Sequence, residues 1–186
     1  MNRKNSINKI TLPEIRRFKS KILNFAGKHG RQLPWRMTNN PYNILVSEVM
    51  LQQTQVSRVI DYYERWIIAY PDFCALGSAK NAHVLQLWSG LGYNSRALRL
   101  KECCKIVCKD YNSKLPKDLG ELKKLPGIGD YTSAALLAFV YNIPAPVIDI
   151  NIRRVYLREF NLPDTTTNSQ LTELATRCIP KGKAAV

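Results

Sequence analysis

Helical periodicity, interrupted at short intervals by turn chemistry, is the feature that most restricts what this chain can fold into. Apolar residues recur at the helical period over Leu12 to Lys28, Tyr42 to Tyr70, Ala82 to Trp88, Ser95 to Tyr111, Leu119 to Lys124, Thr132 to Tyr141, Asn151 to Phe160 and Ser169 to Cys178. Between these stretches stand "RQLPWRMTNNP", "YPDF", "SGLGYN", "KLPKD", "LPGIGD" and "NIPAPVID", all rich in Gly, Pro, Asn and Asp, which stop helices. Strand signals are scarce, so the pattern predicts an all-α fold of about eight to ten short helices. A length of 186 residues with 45% hydrophobic composition suits one large domain or two small lobes.

Charge points to the partner. Lys and Arg outnumber Asp and Glu 28 to 14, giving a net charge of +14 and a pI near 9.8. Such an excess favours a polyanion. Residues 1–36 alone hold ten basic residues against Glu14, and residues 1–12 read as a basic, mobile arm that includes Arg3, Lys4 and Lys9. A membrane surface would also attract this charge. However, no secretory apolar segment follows the basic start, and the longest apolar run, "AALLAFVY", is too short to span a bilayer. Nucleic acid is the partner expected, and no membrane.

The five cysteines (Cys74, Cys103, Cys104, Cys108, Cys178) are odd in number and form no CxxC pair. Cys104 and Cys108 share a helix face and supply half a metal site at most, with no further ligand close in sequence. The expectation is therefore five reduced thiols acting as small hydrophobes.

Two stretches carry chemistry. In "YNILVSEVMLQQTQV" a glutamate, Glu48, stands inside a run that reads as a buried helix. Burying a carboxylate is costly unless it finds a partner or takes up a proton. Glu48 therefore either reaches the helix edge or an arginine, or is kept dry to hold a proton near neutral pH. In "LKKLPGIGDYTSAALLAF" a short helix, a Pro-Gly-Ile-Gly turn and a second helix starting near Tyr131 or Thr132 form a hairpin. Gly127 and Gly129 are expected to allow backbone angles closed to other residues and a close approach of main-chain N–H groups to a ligand. With the helix N-terminus and with Lys123 and Lys124 beside it, the hairpin would hold an anion such as a DNA phosphate, whatever the sequence. "LWSGLGYNSRA" repeats the Gly-x-Gly-to-tyrosine device.

Taken together, "LPWR", "PYNILVSEVMLQQTQV", "LWSGLGYNSRA", "LPGIGDYTSAA" and "PAPVIDINIRRV" resemble, in order, the helix-hairpin-helix DNA glycosylase superfamily, and most closely its A/G-specific adenine DNA glycosylases. The resemblance runs from about residue 13 to residue 183. It implies two helical lobes with the active site in the cleft between them: a six-helix lobe over 32–143, with the hairpin at about 125–130, and a second lobe from 13–31 plus 144–186. It also implies a monomer that removes adenine mispaired with guanine or 8-oxoguanine from double-stranded DNA. In a prokaryote this protein would be cytoplasmic and associated with the nucleoid.

The chemistry suits that assignment. Breaking a purine N-glycosidic bond needs an acid for the leaving base and a carboxylate beside the cationic sugar, so two carboxyls with opposite protonation preferences are required. The family's catalytic glutamate falls on Glu48 and its aspartate on Asp149. The latter lies at a helix start, where N–H groups favour the ionised form and where an ordinary N-cap is the alternative. Asn151 matches a position that supports the catalytic centre. Tyr131 stands where the endonuclease III branch has a Schiff-base lysine. A phenol forms no imine, so base release without strand cleavage is expected. By the same resemblance Arg31, Trp35 and Arg36 line the base pocket, Gln53, Thr54, Leu91 and Tyr93 lie near the opposing base and the vacated stack, and Lys124, Gly127 and Gly129 grip the backbone. Trp35 has a plain alternative as a core aromatic.

The family also carries an iron–sulfur cluster held by four closely spaced cysteines after the catalytic region. The sequence stops at "RCIPKGKAAV", where that segment would begin, so neither a cofactor nor a metal is expected in this chain. Either the sequence is a fragment or it is a short, cluster-free relative. Two rival functions stay open: release of thymine or uracil opposite guanine, and a non-catalytic, structure-selective DNA-binding module.

Overall fold

A computed structural model describes residues 6–185; Arg3 and Lys4 of the basic arm lie outside the described residues. The described residues are helical with no strand. They divide into two compact units, residues 1–31 with 142–186, and residues 32–141.

The unit of residues 32–141 carries seven α-helices, one more than the six expected. Its first, α2 (Pro41–Met50), is started by Asn40, whose Oδ1 accepts from Tyr42 N at 2.9 Å, and by Pro41 in the first turn. The expected long helix from Tyr42 to Tyr70 is two: α2 ends at Met50 and α3 (Val56–Ala69) starts afresh. The cause lies in "QQTQ", which has no apolar residue to continue the buried stripe and in which Gln53 takes a left-handed backbone (φ 56°). A helix not expected from the pattern, α4 (Phe73–Ser78), begins inside the "YPDF" breaker because Asp72 Oδ1 accepts from Ala75 N at 2.8 Å. It is followed by α5 (Asn81–Trp88), α6 (Ser95–Asp110), α7 (Leu119–Lys124) and α8 (Asp130–Tyr141).

Core packing explains why α2 is apolar nearly all round. It contacts α3, α6 and α8, and buries Tyr42, Leu45, Val46 and Met50. Trp66 of α3 and Trp88 of α5 meet edge to face at 5.2 Å, both fully buried. Helix α4 packs on α6 at Gly77, where an added Cβ would stand 2.8 Å from Lys105 Cα; only glycine permits this approach.

That approach corrects the expectation of five free thiols. It brings the Cα atoms of Cys74 and Cys108 to 5.3 Å, and the two form a disulfide. Cys103, Cys104 and Cys178 are free and buried, as expected of small hydrophobes.

The other unit comprises α1 (Leu12–His29), α9 (Ile150–Glu159) and α10 (Asn168–Cys178). Capping boxes start α1, between Thr11 and Glu14, and α10, between Thr167 and Gln170. Phe18 of α1 packs on Tyr156 and Phe160, at 5.4 and 5.2 Å, over Leu171 and Leu174 of α10. Lys21 pairs with Glu159 at 2.8 Å, and Arg177 donates to Ile10 O at 2.9 Å.

Candidate functional site

Glu48 lies near the end of α2, two residues before its last turn closes, and is only partly accessible among Leu45, Val49 and the apolar body of the helix. Burial pushes its carboxyl up to about 7, while the nearby Arg36 guanidinium pulls it down. Arg36 stands in the turn Pro34–Arg36, its guanidinium 5.1 Å above the ring of Phe139 on α8. Both readings of Glu48 hold in part: an arginine is near, yet desolvation dominates. Trp35 is buried and stands edge-on to Tyr63 at 5.3 Å, so its ring belongs to the core. Arg31 is exposed and belongs to the other unit.

Two loops next to α2 hold the residues expected to face the opposing strand. One joins α2 to α3 and contains exposed Gln53 and half-buried Thr54. The other joins α5 to α6 and contains buried Leu91 and exposed Tyr93, whose backbone is also left-handed (φ 48°). Non-glycine residues in that region are uncommon and persist where surroundings fix them.

The surroundings here are Arg96, a residue that sequence reasoning passed over. Its Nη1 donates to Val49 O, Met50 O and Gln52 O at 2.8, 3.1 and 2.7 Å. Its Nη2 donates to Thr54 Oγ1, Leu91 O and Gly92 O, each at 3.2 Å. Gln52 was missed as well; its Nε2 donates to Thr132 Oγ1 of α8 at 3.2 Å. The signal for Arg96 was in the sequence: it lies on the buried stripe of α6 with Leu100, Cys103 and Val107, at helical spacing, where a charge is out of place.

The hairpin runs from α7 through residues 125–129 into α8, with Ile128 N donating to Leu125 O at 3.1 Å. Gly127 has φ +82° and supplies the left-handed turn residue. Gly129 does not, which corrects the expectation for that position; its surroundings are open, with nothing within 4 Å of an added Cβ. Both lysines carry acidic neighbours: Lys124 Nζ pairs with Glu121 at 2.5 Å and Lys123 with Asp130. These pairs are exposed and weak. Tyr131 is 48% exposed in the first turn of α8, while Thr132 and Ser133 are buried.

Asp149, in the unit of residues 1–31 with 142–186, is the N-cap of α9: its Oδ1 accepts from Ile152 N at 2.6 Å. The ordinary N-cap role is therefore real. It also fixes the carboxylate's orientation, so the cap and a chemical role do not exclude each other. Asn151 is exposed in the first turn of the same helix. Glu48, Arg36, the two loops, the hairpin and Tyr131 all belong to residues 32–141.

The residues present do not fit a four-thiolate iron–sulfur cluster. Among the described residues no group of three or more His, Cys, Asp or Glu could hold a metal ion, Cys74 and Cys108 are bonded to each other, and burial pushes the Cys178 thiol up to about 11.

Residues 46–181 match the family model of the HhH-GPD superfamily base excision DNA repair proteins. The chain belongs to that superfamily. This HhH-GPD chain is 41% identical over 146 residues to the adenine DNA glycosylase of Buchnera aphidicola subsp. Baizongia pistaciae, covering 78% of the chain and 42% of the relative. It is 42% identical over 138 residues to that of Mycobacterium tuberculosis strain CDC 1551, covering 74% and 45%. With the adenine DNA glycosylase of Mus musculus it shares 40% identity over 154 residues, 78% of the chain and 30% of the relative. The chain thus spans less than half the length of these relatives. Among solved structures it is similar to a thermostable thymine-DNA glycosylase, with a TM-score of 0.82 and 30% identity over 92% of this chain and 81% of that one. A trapped endonuclease III–DNA covalent intermediate has the same fold, with a TM-score of 0.78 and 21% identity over 95% and 82%.

Proposed function

We propose that this chain binds mismatched double-stranded DNA as a monomer and hydrolyses the N-glycosidic bond of adenine opposite guanine or 8-oxoguanine. The observation that carries this reading is Glu48: a carboxyl that α2 keeps dry enough to hold a proton near pH 7. The similarity to adenine DNA glycosylases supports adenine as the base.

In this reading the mispaired adenine leaves the stack, which is cheaper than extruding a paired base. Protonated Glu48 gives its proton to a ring nitrogen of adenine. The bond to the sugar then breaks with its electron pair on the base, which leaves neutral. Asp149, with Oδ1 fixed by Ile152 N, offers negative charge to the oxocarbenium-like sugar until water adds and loses a proton. Asn151 supports this centre, and Arg36, whose charge acts on Glu48, shapes the base pocket. The hairpin, with Gly127, Gly129 and Lys124, holds backbone phosphate. Its pairs with Glu121 and Asp130 exchange for phosphate at small cost because they are exposed. Tyr131 forms no imine, so the strand stays intact at the abasic site.

Similarity to a thymine-DNA glycosylase favours a second reading, release of thymine or uracil opposite guanine. One experiment separates the two: single-turnover base release from duplexes carrying A:8-oxoguanine, A:G, T:G and U:G, with alkali used to reveal abasic sites. Adenine release that needs alkali for strand cleavage, and is lost in Glu48→Gln and Asp149→Asn, is the expected result. Thymine or uracil release in its place would carry the second reading.

A further inference from the structure

We propose that Arg96 is a positioning residue that locks the α2–α3 and α5–α6 loops into one rigid element, so that Gln53 and Tyr93 meet the strand opposite the target base as a unit. The inference rests on the reading of this chain as a mismatch glycosylase and adds to it the device that presents the opposing-strand residues.

The geometry is specific. One guanidinium serves two loops whose bound residues, Thr54 and Leu91 at the nearest, are 37 apart in sequence, with Nη1 on the α2 side and Nη2 on Thr54, Leu91 and Gly92. Every partner is neutral, a carbonyl or a hydroxyl, so no carboxylate competes for the side chain. The carbonyls of Val49 and Met50 belong to the last turn of α2, where partial negative charge favours a cation. Arg96 therefore finishes the helix that carries Glu48 and, with its other nitrogen, fixes the second loop. Its plane is held by Trp88 at 5.2 Å and by Tyr93 at 5.7 Å from the ring centroids.

The flanks of this clamp explain the two unusual backbones. Gln53 lies between Gln52 O and Thr54 Oγ1, both bound to Arg96, and Tyr93 follows Gly92 O, also bound. Each residue is held in a left-handed conformation by bonds on its neighbours, leaving its own side chain exposed. Lysine cannot reproduce this: its single ammonium has the charge for the α2 end but not the planar fork for both loops.

Single-turnover assays of Arg96→Lys test the proposal with two duplexes, one with adenine opposite 8-oxoguanine and one with adenine opposite an abasic site, which offers no base to read. The expected result is a fall of about 10²-fold on the first, a misplacement effect, and a much smaller change on the second. Equal falls on both would overturn the proposal and make Arg96 a general structural residue. Hydrogen exchange on the unmodified chain gives a second measurement that needs neither activity nor a variant. The amides of 51–55 and 89–94 should open with one free energy. Independent opening would overturn the coupling even if the variant loses activity. Absence of any base release from the unmodified chain would instead fail the glycosylase reading, leaving the exchange measurement to decide the clamp.

Discussion

Residues 32–141 enclose several polar groups within a filled core: Ser47, Arg96, Thr132 and Ser133 are buried, and Glu48 nearly so, among Trp66, Trp88, Leu76, Leu100 and Leu136. In residues 1–31 with 142–186 only Thr166 is a buried polar residue among those described. There an apolar cavity of about 370 Å³ opens among Phe18, Ile22, Val155, Cys178, Ile179 and Ala184. Ile22 and Val155 at its border are 40% and 47% exposed, and Phe25, one turn along α1 from Ile22, is 64% exposed. The first unit also has exposed apolar residues, such as Ile68 and Met37, but these stand apart on separate elements. The difference teaches that a core must be dense before it can hold charged and polar groups in fixed positions, because an unfilled one lets them relax to water.

The largest effect should come from emptying the dense core. Trp66→Ala is expected to cost about 3–5 kcal/mol, as for other large buried aromatics. Phe18→Ala, at the edge of the cavity, should cost about 2 kcal/mol, since part of its surface already lacks packing partners. Urea unfolding of both variants measures the contrast. Equal losses would break the comparison, showing the two cores equally filled.

Next in size is the disulfide between Cys74 and Cys108, which closes a loop of 34 residues in sequence separation inside the dense unit. Its reduction should cost about 4 kcal/mol by the chain-entropy estimate. Unfolding with and without dithiothreitol, against Cys74→Ser as a control insensitive to reductant, checks this. No effect of reductant would mean that the α4–α6 packing alone holds this corner.

Glu48 sharpens the comparison through pH. Its folded carboxyl lies near 7, above the unfolded value near 4.5, so the neutral form is the one the fold tolerates. The associated stability is present below pH 4.5 and is lost as pH rises through 7, a change of about 3 kcal/mol. Glu48→Gln should therefore be the more stable protein at pH 8, with little difference at pH 4.5, while releasing no base. In the unmodified chain, base release should fall as pH rises through 7. A Glu48→Gln variant that gains nothing at pH 8 would show that water reaches the carboxyl of Glu48 freely.

How much of this was legible before the structure depends on the kind of interaction. The helices were legible because burial repeats at the helical period, and the start of α9 because Asp149 caps it with a side-chain oxygen. Glu48 was legible because a carboxylate amid apolar neighbours violates the pattern. The break at residues 51–55 has a local cause in "QQTQ", but its fixed form was hidden because the bonds that hold it come from Arg96, more than 40 residues away. Helix α4 was hidden because it begins inside "YPDF", which reads as a breaker, and the disulfide because the close approach at Gly77 is a tertiary fact. Gly127 and Gly129 looked alike in sequence; only the turn geometry tells that one needs glycine for its backbone angle and the other does not.

The smallest expected effect reverses the sign of the others. Ala184 lines the cavity, its amide N donating to Asn142 Oδ1 at 2.7 Å, so its backbone is anchored while its side chain has room to grow. Ala184→Leu should bring apolar carbon against Ile179 and Phe18 without displacing that bond. Filling of this kind yields about 0.5–2 kcal/mol where the space is real, because new dispersion contacts form and apolar surface leaves water. The same enlargement inside the dense unit, Ala97→Leu, has no space to enter and should cost about 1–3 kcal/mol through overpacking. Opposite signs from one chemical change, read as shifts in the thermal midpoint, would show that the two units differ in filling. A loss in both would mean that the space around Ala184 closes in solution, and the contrast between the two cores would narrow to their polar contents alone.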